Sequence, residues 1–187
     1  MNLGPTSSLS TEGKFNGGLQ ITPRTDLAQA VTMLKLGDQG APATFSCSLW
    51  VKFHGSSEGG QTVLVHDNYL LTSSDFFLRY VIERHRFETG IQTTAGWTET
   101  HSTGSEPQPD RWYYLTMSYD GSQLRMAVDG VGQPTVQVTG GPIPSSFNVG
   151  AAFYGKETSG DLDGLLDDLL ISSSVPASNS SQPGGNP

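Results

Sequence analysis

Four aspartates, Asp161, Asp163, Asp167 and Asp168, fall within eight residues of the run DLDGLLDD. Carboxylate oxygens are hard ligands, and calcium gathers about six to eight of them, so this cluster could supply part of a calcium site with help from other loops. On an extended strand Asp161, Asp163 and Asp167 share one face and Asp168 turns to the other. Asp67 and Asn68, in the turn HDNY, are candidate partners from elsewhere in the chain. The plainer alternative is a solvated strand edge with one aspartate capping a turn. Asp161-x-Asp163-Gly164 is too short for an EF-hand loop, which needs further alternating oxygen ligands and a later glutamate.

Aromatic residues are the other chemistry-bearing group. Trp97 lies in the polar stretch AGWTETHSTG, where an exposed indole could stack on a sugar face while neighbouring Thr, Glu and His supply hydrogen bonds. Tyr69 in HDNYLL and Tyr154 in FYGKE are weaker candidates of the same kind. The alternative for Trp97 is a loop tryptophan folded back over apolar surface. Trp50 and Trp112 fall in strongly alternating segments and are expected to pack in the core, as are Tyr119 and Phe153. No two of His54, His66, His85 and His101 have a zinc-ligand spacing. The chain has no G-x-S-x-G elbow, no G-x-G-x-x-G and no P-loop.

The elements that must position these residues centre on Asp110–Val131, DRWYYLTMSYDGSQLRMAVDGV. Two alternating runs, Trp112–Tyr119 and Leu124–Val128, are separated by Asp120-Gly121, and the second closes on Asp129-Gly130. Asp-Gly supplies the positive φ of a tight hairpin turn, so three antiparallel strands are expected in a meander continuing through Thr135–Val138. The pattern W-h-h-h-x-x-x-Y-D-G-S-x-h-R-h-x-V-D-G-V resembles the central hairpin of laminin G-like, concanavalin A-like jelly rolls. Phe45–Phe53 (FSCSLWVKF) looks like that family's early core strand, and Asp163–Val175 (DGLLDDLLISSSV) like its closing strand. The resemblance implies an all-β fold, an antiparallel β-sandwich of the jelly-roll type. Many such domains bind calcium, often through a carboxylate pair matching Asp167-Asp168, although no second calcium segment is recognisable here. Glycosidases on the same scaffold carry E-x-D-x-x-E, with two carboxylates about 5–5.5 Å apart. The nearest match, Asp161 to Asp167, has a different spacing and no glutamate, so no catalytic residue is assigned.

Composition sets the outer bounds. A chain of 187 residues with 35% hydrophobic content, 23 Gly and 11 Pro suits a single domain of many short strands and turns. A net charge of −8 offers no basic stripe for a phosphate backbone and disfavours anionic membranes, so neither nucleic acid nor membrane insertion is expected. The one cysteine, Cys47, excludes an intrachain disulfide and sits at an inward position of an alternating strand. No signal peptide and no long apolar span is visible.

Residues 1–12 form a Ser/Thr/Gly/Pro-rich arm, residues 13–176 the jelly-roll domain, and residues 177–187 a low-complexity tail. Further strands are expected at Phe15–Pro23, Leu27–Leu36, Gln61–His66, Phe76–Glu83, Arg84–Ile91, Phe147–Phe153 and Leu162–Ser172, with a loop over Thr93–Pro109. The reading that follows is a non-catalytic structural or binding protein. It would be displayed outside cells or on a particle surface, as a component of a larger assembly such as a phage virion decoration or fibre protein. Its arms would grip other chains, whether copies of itself or a shell protein. The alternative is a carbohydrate-binding module or adhesin, calcium-assisted through Asp67, Asp163, Asp167 and Asp168. A glycoside hydrolase is a distant third.

Overall fold

Alternation of period two decides most of this molecule. In FSCSLWVKF every odd residue from Phe45 to Phe53 is buried in the core, and in WYYLTMSY Tyr113, Leu115, Met117 and Tyr119 do the same. Such runs close as strands because one pleated face can be dried while the other stays wet. The computed structural model describes residues 7–22, 32–38, 44–54, 61–66, 76–141, 148–153 and 162–175.

Among these residues the strands are β1 (Ser7–Ser10), β2 (Gly18–Ile21), β3 (Thr32–Asp38), β4 (Phe45–Phe53), β5 (Gln61–His66), β6 (Phe76–Val81) and β7 (Arg86–Thr93). They continue as β8 (Gly96–His101), β9 (Trp112–Tyr119), β10 (Gln123–Val128), β11 (Val131–Gly132), β12 (Val136–Gln137), β13 (Asn148–Phe153) and β14 (Gly164–Ser172). A 3-10 turn, Ile82–Arg84, joins β6 to β7. No helix among the described residues is long and apolar enough to cross a membrane.

One sheet has the order β1-β2-β14-β4-β9-β10-β11, with β12 also on β10; a second has the order β5-β6-β7-β8; and β13 pairs with β3 and runs beside β5. All strand pairings among the described residues are antiparallel. The two layers meet through aromatic contacts from β4 and β9 to β6 and β7: Phe45 on Phe76 at 4.7 Å, Phe53 on Tyr80 at 4.4 Å, and Phe87 on Tyr113 at 5.2 Å between ring centroids. Each fully buried apolar side chain of this size contributes about 1.5–3 kcal/mol. The result is the expected antiparallel β-sandwich. Cys47 faces this core, 1% exposed, and burial pushes its thiol up to about 12.

Several local expectations change. The Asp129-Gly130 turn is the two-residue hairpin foreseen, with Val128 opposite Val131 and positive φ at both central residues (51° and 79°). Asp120-Gly121 instead opens a four-residue loop, because Tyr119 pairs with Leu124. Its Asp120 carboxylate accepts the Ser122 hydroxyl and the N–H groups of Ser122 and Gln123. Trp50 and Trp112 lie on the outer face of their sheet and not in the inner core. Trp50 packs on Tyr114 (5.2 Å) under Phe15 (5.9 Å) and Lys14 (4.6 Å), and Trp112 is half-buried beneath Lys52 (5.5 Å). Residues 96–101, expected as loop, form β8. Its alternation is of Thr against Trp, Glu and His, which carries little apolar contrast. Phe153 falls in β13, whose side chains lie outside the described ones.

Candidate functional site

The β7–β8 hairpin is built to hold one tryptophan still. Its tip is pinned to the chain beyond β12: the Thr94 N–H donates to the Gly141 carbonyl (3.1 Å), and the Thr93 hydroxyl donates to the Thr139 carbonyl (2.7 Å). Gly96 then turns the chain with φ of 114°, and Trp97 follows on the outer face, opposite Gln92. Gly90 occupies the neighbouring outward position of β7, between Phe77 of β6 and Glu99 of β8. A Cβ at Gly90 would lie 2.5 Å from Phe77 Cε1, so the missing side chain is what lets the Phe77 ring lie down on the sheet. Trp97 packs against that ring at 5.5 Å and 44°, and the Arg79 guanidinium sits over it at 4.0 Å. Phe77 is thereby buried while Trp97 remains 46% exposed.

Further along the same face lies a cluster the sequence reading missed. Glu88 of β7 is 1% exposed although it points away from the core. Three arginines meet its carboxylate: Arg79 Nη2 on Oε2 at 2.7 Å, with Arg84 Nη1 and Arg86 Nε both on Oε1 at 2.9 Å. Burial alone would raise this carboxyl's pKa, but the hydrogen bonds from Arg79, Arg86 and Arg84 outweigh it and hold the pKa below the ordinary glutamate value. Arg79 also lies 3.8 Å from Glu99. The signal available in the sequence was parity: Arg86 and Glu88 alternate with Phe87 and Thr89, so they project from one side of an extended chain, while Arg84 reaches the same carboxylate from the 3-10 turn.

The acidic cluster is dispersed. β14 carries a bulge: Asp167 pairs with Trp50, the next pair is Leu170 with Ser48, and Asp168 has φ of 47°. The extra residue shifts the inward alternation from Leu162 and Leu166 to Leu169 and Ile171, so Asp167 and Asp168 no longer sit on opposite faces. Asp167 Oδ2 accepts the N–H of Phe15 (2.9 Å) and Oδ1 that of Asp168 (2.9 Å), tying the Lys14–Phe15 segment onto the sheet. Asp163 accepts the His54 N–H through its carbonyl (2.8 Å), while His54 Nδ1 meets Asp110 Oδ1 at 2.6 Å. Among the described residues no three His, Cys, Asp or Glu gather as a metal site. Asp67, Tyr69, Tyr154 and Asp161 lie outside the described residues.

Solved structures resemble this architecture at low sequence identity. Domains LG4-5 of the mouse laminin α1 chain align with a TM-score of 0.63 and 11% identity, over 77% of this chain and 39% of that one. The botulinum neurotoxin serotype D ligand-binding domain, solved with N-acetylneuraminic acid, gives 0.70 and 13%, over 95% and 43%. Domain 4 of AbnA, an extracellular arabinanase from Geobacillus stearothermophilus solved with arabinotriose, gives 0.65 and 17%, over 91% and 76%. This chain therefore spans well under half the length of the laminin and toxin chains it matches. No curated protein sequence matches it. The family model described as the concanavalin A-like lectin/glucanases superfamily, laminin G type, matches residues 28–179, most of the chain, and with the two-layer antiparallel architecture this makes the protein a member of that superfamily.

Proposed function

We propose that this protein is a non-catalytic saccharide-binding module working outside cells or on a particle surface, with Trp97 as its stacking platform. The observation that carries the reading is a half-exposed indole fixed from beneath by Phe77 and from the hairpin tip by Thr93 and Thr94. A platform that is already ordered loses little entropy on meeting a ligand. Two structural neighbours, solved with N-acetylneuraminic acid and with arabinotriose, support a sugar as the ligand class by fold analogy. A glycan array probed with the wild-type chain and Trp97→Ala tests it: binding lost in the variant is expected, and binding that survives the substitution removes Trp97 from the role. Repeating the array in millimolar calcium and in chelator tests the calcium expectation on Asp67, Asp163, Asp167 and Asp168.

A second reading, membership in a larger assembly, is favoured by Leu9. This residue is 72% exposed on the edge strand β1, and its cross-strand neighbours Leu19 and Leu166 pack in the inner layer. An edge that no other strand among the described residues covers, with an exposed leucine on it, suits an added strand from another chain. The solution mass of the full chain and of a chain lacking residues 177–187 checks it: a defined oligomer is expected, and a monomer in both cases sinks the idea. Of the expected arms, residues 1–6 and 177–187 lie outside the described residues, while Ser7–Ser10 of the N-terminal arm (residues 1–12) form β1, paired in the sheet with β2.

A further inference from the structure

Resting on the saccharide-binding reading, we infer that the ligand carries carboxylate groups, and that Arg84 and Arg86 are the residues that recognise them. The chain is acidic overall, yet three of its six arginines converge on one side of one sheet. Glu88, the carboxylate that gathers them, is itself sealed from solvent, so an approaching molecule meets guanidinium edges. Arg84 spends only Nη1 on Glu88 and is 52% exposed; Arg86 spends Nε and Nη2 and is 31% exposed. Among the described residues the remaining N–H donors of both have no partner. A planar fork with donors to spare matches a carboxylate in a way an ammonium does not. The flanking carboxylates, Glu99 beside Arg79 and Glu83 beside Arg84, limit the net field, so the recognition is of hydrogen-bond geometry more than of bulk charge.

Position links this cluster to the platform. Trp97 pairs with Gln92 and His101 with Glu88, four residues along each strand, which is about 13 Å of sheet. Phe77 and Arg79 fill the interval. An extended oligosaccharide stacked on Trp97 can therefore run along the outer face and present an acidic group to the arginines. Trp97 supplies apolar contact common to many sugars, and the arginines supply discrimination.

Calorimetric titration with matched pairs tests this: an oligogalacturonate against its methyl ester, a hyaluronan hexasaccharide against its methyl ester, and 3′-sialyllactose against lactose. At least one acid is expected to bind about tenfold or more tighter than its neutral partner, as charge-assisted hydrogen bonds require. The preference should vanish in R84Q/R86Q and fall in R84K/R86K, which keeps positive charge beside Glu88 and so keeps the fold. Equal affinity within every pair overturns the inference while leaving the saccharide reading standing, provided binding still needs Trp97. A preference that survives both double variants also overturns it. Failure of every probe, acid and neutral, in the wild-type chain overturns both.

Discussion

On the outer face of the larger sheet, Trp50 and Tyr114 pack together and the chain folds Lys14 and Phe15 over them, with Asp167 holding the strap by its Phe15 N–H. On the outer face of the other sheet, Phe77 plays the part of Trp50, Arg79 that of Lys14, and Trp97 that of Phe15. The components are alike: a buried ring, a cation over it, and a second ring against it. The difference lies in what holds the outer ring. Phe15 is brought by a strap and anchored by one side-chain hydrogen bond, whereas Trp97 projects from a strand whose register and hairpin tip are both fixed. A strap that covers is a device for drying a surface. A strand that presents an indole on a dry base is a device for meeting something else, and that contrast locates function where aromatic content alone would not.

The contrast breaks most severely at Glu88. Replacing Glu88 with Ala leaves three guanidiniums crowded together, and removing one side of such a buried arrangement costs about 3–5 kcal/mol in denaturant unfolding. The effect has a pH signature. The folded pKa of Glu88 lies below its unfolded value of about 4.3, so its stabilisation is present above that pH and is lost as pH falls through the folded pKa. The stability gap between wild type and Glu88→Gln should therefore close in acid; a gap constant with pH would place its origin elsewhere. Asp120, held low against burial by Ser122, Gln123 and Arg125, adds a loss of the same sign.

Gly90→Ala is next. The new methyl must displace the Phe77 ring, at a cost of about 1–3 kcal/mol, and saccharide affinity should fall with it because the platform tilts. Unchanged affinity would mean that Trp97 does not depend on its base. Phe15→Ala should cost about 1–2 kcal/mol and shift tryptophan fluorescence to the red as water reaches Trp50, without touching sugar binding. Trp97→Ala should do the reverse, moving stability by under about 1 kcal/mol while abolishing binding. If the last two variants behave alike, the two faces are not functionally distinct.

How far the chain could be read in advance follows the apolar contrast of each strand. Strands β4, β9 and β10 alternate large apolar with polar residues, so their existence, their core face and the sandwich itself were all legible, although the β9–β10 turn was not. Strand β8, Gly-Trp-Thr-Glu-Thr-His, alternates only in size and buries a threonine inward, so it passed for a loop; of the two readings of its Trp97, exposed or folded back over apolar surface, the structure shows part of each, 46% exposed and packed on Phe77. Trp50 and Trp112 were read as packing residues, and Trp50 is buried and Trp112 half-buried, but their parity sets them on the outer face of the sheet, opposite the inner core. The bulge at Asp167 has no local mark, since nothing in LLDDLL says which residue the partner strand will skip. Glu88 escaped notice because its burial comes from three partners, one of them on another strand.

The position of Cys47 has a consequence for how this protein can be watched. Its thiol faces the core between Met117 on β9 and Ile171 on β14, and at a pKa of about 12 it offers almost no thiolate near neutrality. A thiol reagent added to the native protein must therefore wait until the two layers part, and the labelling rate becomes a clock for that separation. Because the chain has no other cysteine, one label per molecule times one event. Tightening at a distant surface, such as a ligand clamping β7 and β8, would show itself as a slower clock, with no need to see the ligand at all.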